Sequence, residues 1–201
     1  TMNQDSAFRN VVMKDTVFRS RLVLIPSLRQ HVLNDAEFRD KLVKEEAFRR
    51  PFDDADYAGV VAQDGRFRRV LMADPDLRLR MHEEHQLRNL LHRDHAFRNL
   101  FNSDDALRRQ MVADPSLRRV IYFDPGFRTM LMKDTAFRTR FTTDDAYRAK
   151  LMADPGMRAQ VRRDYDAKTA SARESEAMEP NVGAPWEYGR STDEGLYFQR
   201  Y

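Results

Sequence analysis

Four of the chain's five histidines fall within one short stretch, MHEEHQLRNLLHRDH, and imidazole is a common zinc ligand. His82 with His85, and His92 with His95, form two His-x-x-His pairs, so four imidazoles are available to one metal ion. Each pair straddles an acidic residue at which a new helix is predicted to begin, so the two rings should not share one helix face. Metal binding is therefore one of three interpretations, beside a pH-sensitive row of imidazoles and simple duplication of one unit.

Adjacent carboxylates, such as Asp53–Asp54, Asp104–Asp105 and Asp144–Asp145, are the other groups whose type suits acid–base chemistry. They fall where helices are predicted to start, and the helix dipole stabilises a carboxylate there. The sequence has no glycine-rich phosphate loop, no nucleophile motif and no cysteine, and its seven glycines leave few flexible loops. We therefore predict a protein that is not an enzyme and that has no cofactor.

A ten-residue repeat of the form acid-x-x-apolar-Arg-x-x-apolar-apolar-x runs through most of the chain. Its clearest run has acids at Asp64, Asp74, Glu84, Asp94, Asp104, Asp114, Asp124, Asp134, Asp144 and Asp154. An apolar residue follows each acid after three positions and arginine after four, as in Asp64, Phe67 and Arg68. The acid is position 1 of the unit, so the apolar residues lie at positions 4, 8 and 9 and the arginine at position 5.

The repeat changes register by one residue in the segment 51–60, which separates repeats in a first register (1–50) from those in a second (61–163). In this segment Asp54 and Tyr57 keep the pattern, but Ala58 replaces the arginine. Ile25 replaces the acid of an earlier unit. The register change predicts a bend, a break or a binding position in 51–60.

The repeat predicts an all-α solenoid of about sixteen short helices with no β-sheet. Asp followed by Pro, as in Asp74–Pro75, is an N-cap with a favourable first-turn residue, and proline inside a helix would cost roughly 3 kcal/mol. Helix starts are predicted at or just after Asp64, Asp74, Asp94, Asp114, Asp124, Asp134 and Asp154. Two-turn helices are unstable alone, so neighbours must share a core. We expect Phe67, Phe97, Phe127 and Phe137 to be buried in it.

The repeated arginines have two interpretations, a cationic stripe for a polyanion or internal pairing with the acids. The acid four residues before each arginine is well oriented for a pair within one unit, and pairing between units is the alternative. The 35 basic and 32 acidic residues are interleaved, so their fields largely cancel. Binding to nucleic acid should then be weak and lost at physiological salt, and we predict no specific nucleic-acid partner.

Beyond residue 163 the repeat fades, and 164–201 is predicted as a polar helix (Asp164–Met178) followed by an extended aromatic tail. The tail's partner-binding candidates are its aromatic side chains: Trp186, Tyr188, Tyr197, Phe198 and Tyr201. Docking on a partner is the main expectation, and folding back to cap the open end of the solenoid is the alternative. Within it Glu194–Gln199 resembles a viral protease recognition site (Glu-x-x-Tyr-x-Gln), which leaves open whether this stretch is a cloning remnant.

Three stretches of the repeat, LMADPDLRLR (Leu71–Arg80), MVADPSLRRV (Met111–Val120) and LMADPGMRAQV (Leu151–Val161), resemble the short Asp/Asn-Pro helices of STI1 domains. Those domains occur in Hop-type co-chaperones and ubiquilins. The resemblance implies a groove, rich in methionine and leucine, that holds hydrophobic segments of client proteins. The other units depart from the STI1 pattern, because they lack the proline and carry a Phe-Arg pair.

These features predict a non-catalytic scaffold or linker subunit that mediates protein–protein interactions in a larger assembly. The alternatives are an STI1-like chaperone or adaptor for hydrophobic helices of client proteins, and a weak polyanion binder. No apolar run approaches the roughly 20 residues that span a bilayer, so we expect a soluble protein without a transmembrane segment. If Thr1, which precedes Met2, marks a processed start, an organelle is the expected location.

Overall fold

The computed structural model describes residues 6–178, which form consecutive α-helices without a strand among them. The helices are α1 Ser6–Lys14, α2 Thr16–Leu24, α3 Pro26–Asn34, α4 Ala36–Lys44, α5 Glu46–Arg49, α6 Ala55–Gln63, α7 Gly65–Ala73, α8 Pro75–Glu83, α9 His85–Arg93, α10 His95–Ser103, α11 Asp105–Ala113, α12 Pro115–Phe123, α13 Pro125–Lys133, α14 Thr135–Thr143, α15 Asp145–Ala153 and α16 Pro155–Met178. The predicted all-α repeat fold is confirmed, and each predicted helix start falls at the residue after its acid.

Except between α5 and α6, a single residue in extended conformation separates each helix from the next. At Asp64, φ is −93° and ψ is 94°. Its N–H still donates to the carbonyl of Val60 at 2.8 Å, and its own carbonyl accepts the N–H of Arg68 at 3.0 Å. One residue therefore ends one helix and begins the next, which explains why a unit of ten residues holds a helix of nine.

The core consists of the side chains at positions 4 and 8, which lie on one face of each helix because they are four residues apart. In α7 these are Phe67 and Leu71, with exposed fractions of 1% and 0%. Each helix packs on its chain neighbours and on the third helix before and after it, as α6 does on α3 and α9. The repeats therefore form an α-solenoid in which three helices make one turn.

The register change is a unit that is one residue short. After α5 the chain forms a 3-10 turn over Arg50–Asp53, and Asp54 then caps α6. Phe52 keeps position 8 and is fully buried, with edge-to-face contacts to its neighbours. Because a 3-10 turn needs fewer residues per turn than an α-helix, it absorbs the missing residue without interrupting the core.

The last units differ from the expectation in two ways. Phe137 is only half-buried, whereas Phe67, Phe97 and Phe127 are buried as predicted. The reason is that α14 has no repeat unit three places later to cover it. The predicted separate helix Asp164–Met178 is instead the continuation of α16, which runs unbroken from Pro155.

The chain divides into two compact units, Thr1–Arg162 and Arg163–Tyr201. The first contains the solenoid. Of the second, the structure describes the later part of α16. Among the described residues, no helix is both long enough and apolar enough to cross a membrane.

Candidate interaction surface

Each helix break leaves backbone groups without helical partners on both sides, and two side chains of the next unit satisfy them. At the break before α7, Asp64 Oδ1 accepts the N–H of Phe67 at 2.9 Å. Arg68 extends back over the end of α6, where its Nη1 donates to the carbonyls of Val61 and Ala62 at 2.7 and 3.3 Å. The acid thus caps the start of one helix, and the arginine caps the end of the helix before it.

This arginine-to-carbonyl contact recurs along the solenoid. It is present in every unit from α4 to α16 except α6, where Ala58 replaces the arginine. In each case Nη1 donates to the carbonyl seven residues earlier. The contact therefore belongs to the repeat and to no special site.

The other edge of the guanidinium faces an acid three units earlier in the chain. Arg98 Nε lies 2.9 Å from Asp64 Oδ2, which is 34 residues before it. Among the residues that the structure describes, six arginines make such an ion pair: Arg49–Asp15, Arg78–Glu45, Arg98–Asp64, Arg118–Glu84, Arg128–Asp94 and Arg138–Asp104. These pairs join one turn of the solenoid to the next.

Of the two pairings that the sequence left open, within a unit or between units, these six arginines make the pairing between units. The acid of the same unit directs its Oδ1 to the first N–H groups of its own helix, as Asp94 does with Phe97 N at 2.9 Å. The arginine points toward the N-terminus of its helix, as helical side chains do, and so reaches the preceding helix and the turn below it.

Aspartate and glutamate fill position 1 in different ways. Asp64 divides its oxygens, with Oδ1 on the helix start and Oδ2 on Arg98. Glu84 makes no cap hydrogen bond, and both of its oxygens accept from Arg118, with Nε at 2.7 Å from Oε2. The longer side chain therefore gives up the cap for a two-pronged arginine contact.

Two departures from the repeat, Ile25 and Ala58, belong to one pair. Ile25 lies at the acid position before α3, and Ala58 lies at the arginine position of α6, three units later. Helices α3 and α6 pack directly on each other, and Ala58 is fully buried. The acid and the arginine are lost together, which is the sequence signal that could have revealed pairing over three units.

The arginines that donate to the carbonyls of the preceding helix, here called the seated arginines, contribute little free positive charge to the surface. Arg78, Arg98 and Arg118 are 5%, 7% and 6% exposed. Each has its guanidinium divided between carbonyls and a carboxylate. A surface that binds other molecules must therefore be sought among the side chains that the repeat leaves at solvent.

The structure places the four candidate histidines on three successive helices. His82 lies in α8, His85 and His92 lie in α9, and His95 lies in α10. His92 Nε2 is 3.5 Å from Asp56 Oδ2. Within the part of the chain that the structure describes, no group of three or more His, Asp or Glu side chains is placed to hold a metal ion. The histidines are not brought together as a ligand set.

The two carboxylates of an adjacent pair contact different partners. Asp104 caps α11 and lies 3.1 Å from Arg138, while Asp105 lies 2.5 Å from Arg108 of its own unit. Asp145 makes the same local contact with its unit's arginine at 2.6 Å. The two carboxylates of such a pair therefore have separate partners and do not converge on one reacting atom.

Asp53 is the member of these pairs with a raised pKa. Burial raises the pKa of Asp53 above its ordinary value of 3.8, and the nearby charge of Asp15 raises it further. The backbone carbonyl of Asp53 accepts a hydrogen bond from Arg21 Nη2 at 2.7 Å. Its neighbour Asp54 is occupied as the cap of α6. Asp53 therefore belongs to the short unit at the register change.

The most exposed aromatic side chain of the described repeats is Phe123, at the end of α12. It is 61% exposed, whereas the last helical position of other units holds residues such as Ala73, Ser103 or Lys133. Tyr122 lies against it edge to face, with ring centroids 4.9 Å apart. Tyr122 and Phe123 together form an aromatic ridge that the solenoid core does not require.

The aromatic ridge borders concave surface on several sides. A groove of about 550 Å³ lies between α9 and α12, with apolar lining from Leu87, Leu90, Tyr122 and Phe123. Tyr122 also lines an adjoining cavity of about 420 Å³, and Phe123 lines another of about 470 Å³ together with Arg158. The site was not predicted from the sequence, although an aromatic residue at a position that is polar or small in most other units was a visible signal.

The tail candidates Trp186, Tyr188, Tyr197, Phe198 and Tyr201 lie outside the described residues. The candidate site among the described residues is therefore the α9–α12 groove with its aromatic ridge. The seated arginines hold together the helices that form it. No protein-family model, no curated protein and no solved structure matches the chain.

Proposed function

We propose that this chain is a non-catalytic helical-repeat scaffold that binds protein partners through the α9–α12 groove and its aromatic tail. The observation that carries the proposal is the aromatic ridge of Tyr122 and Phe123, beside a groove with both apolar and charged lining on a regular solenoid. Aromatic side chains next to a pocket are the groups that most often dominate binding energy at protein interfaces. The partner would insert an apolar side chain between α9 and α12.

The rest of the solenoid supports this role because hydrogen bonds and ion pairs of the arginines hold neighbouring turns together. Each seated arginine contacts the helix before it and, in six units, an acid one turn earlier. The α9–α12 groove is lined by both members of one such ion pair, Arg118 and Glu84. Its two walls therefore keep their spacing without a ligand, which reduces the entropy lost on binding.

The same contacts favour a protein partner over the two alternatives. A polyanion would need arginines free of their acids, but the repeat arginines from Arg39 onward donate to backbone carbonyls, and six of them also pair with a carboxylate three units earlier. An STI1-like client binder would need an open groove of methionine and leucine, and Met81, Met111 and Met130 are buried.

The proposal is tested by purifying tagged protein from its source and quantifying whatever co-purifies with the wild type. Phe123→Ala should reduce recovery of a specific partner by at least about tenfold, because hot-spot side chains each contribute roughly 2 kcal/mol or more. The matched control is Leu79→Ala, an apolar side chain that is 39% exposed on α8. Trp186→Ala tests the contribution of the tail. Unchanged recovery with both Phe123→Ala and Trp186→Ala would contradict the proposal.

A further inference from the structure

The pairing of each arginine with an acid three units earlier leaves unmatched groups at the N-terminal end of the solenoid. Helices α1, α2 and α3 have no unit three places before them within the chain. Their arginines, Arg9, Arg19 and Arg29, make no hydrogen bond or ion pair within the described part of the chain. Arg9 and Arg29 are exposed and Arg19 is half-buried, unlike the seated arginines of later units.

These three arginines also lack the contact to the preceding helix end. Arg19 and Arg29 each have a helix before them, yet they do not donate to its carbonyls, whereas every repeat arginine from Arg39 onward does. Arg88 makes the carbonyl contact although it has no ion pair with an acid three units earlier, so the contact does not require the ion pair. What Arg88 shares with the other arginines from Arg39 onward is a preceding turn of the solenoid, on which its helix packs. The N-terminal arginines lack that turn.

The C-terminal end of the solenoid has the opposite unmatched groups. Asp134, Asp144 and Asp154 cap α14, α15 and α16 with Oδ1, at 2.9, 2.9 and 2.8 Å from the backbone nitrogens that they accept from. No later unit supplies an arginine to their second oxygens. Asp134 and Asp154 have no ion pair with a described residue, and Asp144 has one at 4.0 Å, with the exposed Arg140.

The apolar positions show the same end effect. Phe137, Tyr147 and Met157 hold position 4 in the last three units and are half-buried. In every earlier described unit the position 4 side chain is buried. At the other end Val12, at position 8 of α1, is half-buried, whereas later position 8 residues such as Leu42 and Leu71 are buried.

We propose that the partner of these two ends is a second copy of this chain, joined head to tail. The end formed by α14, α15 and the start of α16 would receive α1, α2 and α3 of the next copy. Arg9, Arg19 and Arg29 would then pair with Asp134, Asp144 and Asp154, as Arg98 pairs with Asp64 within the chain. The half-buried apolar side chains of both ends are covered in the same step.

Charge argues for a second copy and against the chain's own tail as the occupant of the acidic end. The segment 179–201 carries four acidic residues and two arginines, so its net negative charge matches poorly with the carboxylates of Asp134, Asp144 and Asp154. The N-terminal end offers three arginines with the spacing of the repeat. Since the two joined surfaces differ, the contact is heterologous, and copies should add one after another into a ring or a filament.

Two variants block one end each and leave the solenoid intact. The triple variant R9E/R19E/R29E changes side chains that make no hydrogen bond or ion pair with a described residue. The triple variant D134N/D144N/D154N removes the three carboxylate charges, while asparagine keeps the helix cap. Matched controls with the same change in net charge are R66E/R69E/R119E and E37Q/D76N/D166N, at side chains exposed elsewhere.

Sedimentation velocity over a range of concentrations measures the outcome. Wild type and both controls should grow beyond dimers as concentration rises, and less so at high salt, because exposed charges are screened. Each blocked variant should stay a monomer alone, and an equimolar mixture of the two should form a dimer and stop there. Circular dichroism melts that match the controls exclude misfolding.

Three results would overturn the proposal: a wild type that stays monomeric, blocked variants that still assemble, or a mixture that fails to dimerise. These outcomes are independent of the partner test at Phe123, because neither blocked variant alters the α9–α12 groove.

Discussion

At the scale of single residues, the arginine at position 5 holds three parts of the chain at once. Arg118 donates to the carbonyls of Met111 and Val112 in α11 and to both carboxylate oxygens of Glu84, which precedes α9. These acceptors lie in the directions of a planar, forked group. Lysine keeps the charge but is a single point with three donors, and it cannot span both sets of acceptors.

Arg118→Lys should therefore lower the free energy of unfolding by on the order of 2–4 kcal/mol, because the partly buried carboxylate of Glu84 and two carbonyls lose hydrogen bonds. Urea denaturation followed by circular dichroism measures the change. The adjacent Arg119 is exposed, and Arg119→Lys should change stability by less than about 0.5 kcal/mol. Equal effects at the two positions would show that the fork is not what stabilises the turn.

The acid at position 1 makes stability depend on pH. Burial by itself would raise the pKa of Asp64, but the N–H of Phe67 and the guanidinium of Arg98 favour the carboxylate more, so its pKa lies below the ordinary value of 3.8. The folded state therefore holds this carboxyl ionised at pH values where the unfolded chain protonates it. Its contribution to stability is present above the unfolded pKa and is lost as pH falls through the folded pKa.

Asp64→Asn keeps the helix cap and removes this charge. We expect the variant to be less stable than the wild type at neutral pH and the difference to shrink as pH falls below 3.8. Chemical denaturation at a series of pH values measures the difference. The exposed Asp76 supplies the control, Asp76→Asn, and a difference with the same pH course there would contradict the assignment to Asp64.

At the scale of the helix, the sequence predicted the elements well and their partners poorly. The acid at position 1, with the following proline in the units that have one, predicts the helix starts because capping is a local interaction. The contact of each helix with the third one on is set by how the turn closes, and neither local propensity nor the apolar pattern reports it. The joint loss at Ile25 and Ala58 was the trace of this pairing in the sequence.

The continuous helix α16 shows that a capping acid is insufficient to break the chain. Asp164 lies ten residues after Asp154, at the acid position, yet the helix runs through it to Met178. The positions that would anchor a further unit in the core hold Ala167 and Ser171. Without large apolar side chains there, a break gains no burial to offset the lost helical bonds, so the helix continues.

The core positions of an interior helix and a terminal helix should differ in their contribution to stability. Phe127 is 1% exposed, whereas Phe137 is half-buried because no later unit covers α14. Phe127→Ala should lower the free energy of unfolding by about 3–5 kcal/mol, and Phe137→Ala by clearly less, because the loss scales with buried area and with the cavity left behind. Thermal or urea melts of both variants measure this, and a larger effect at Phe137 would refute covering by the third helix on.

At the scale of the whole solenoid, stability comes from contacts between near neighbours in the repeat. An interior helix such as α8 packs on α7, α9, α5 and α11. Among the described residues, no turn precedes α1 to α3 and no repeat turn follows α14 to α16. Repeat proteins of this kind behave as one-dimensional arrays, in which each unit is stabilised by its own folding and by its interfaces.

The rate of amide hydrogen exchange should therefore vary along the solenoid, with different rates in different helices. We expect the slowest exchange in α5 to α11, where both adjacent turns are present and an aromatic cluster surrounds Phe52, and faster exchange toward α1 and toward α15. Arg118→Lys should speed exchange chiefly in α9, α11 and α12, the helices that its guanidinium joins or belongs to. Arg119→Lys is again the control and should leave the pattern unchanged. Uniform protection from α1 to α15 would mean that the solenoid opens only as a whole. In that case the fastenings between turns would be strong enough to make all units one cooperative body, contrary to the expectation from missing neighbours at each end.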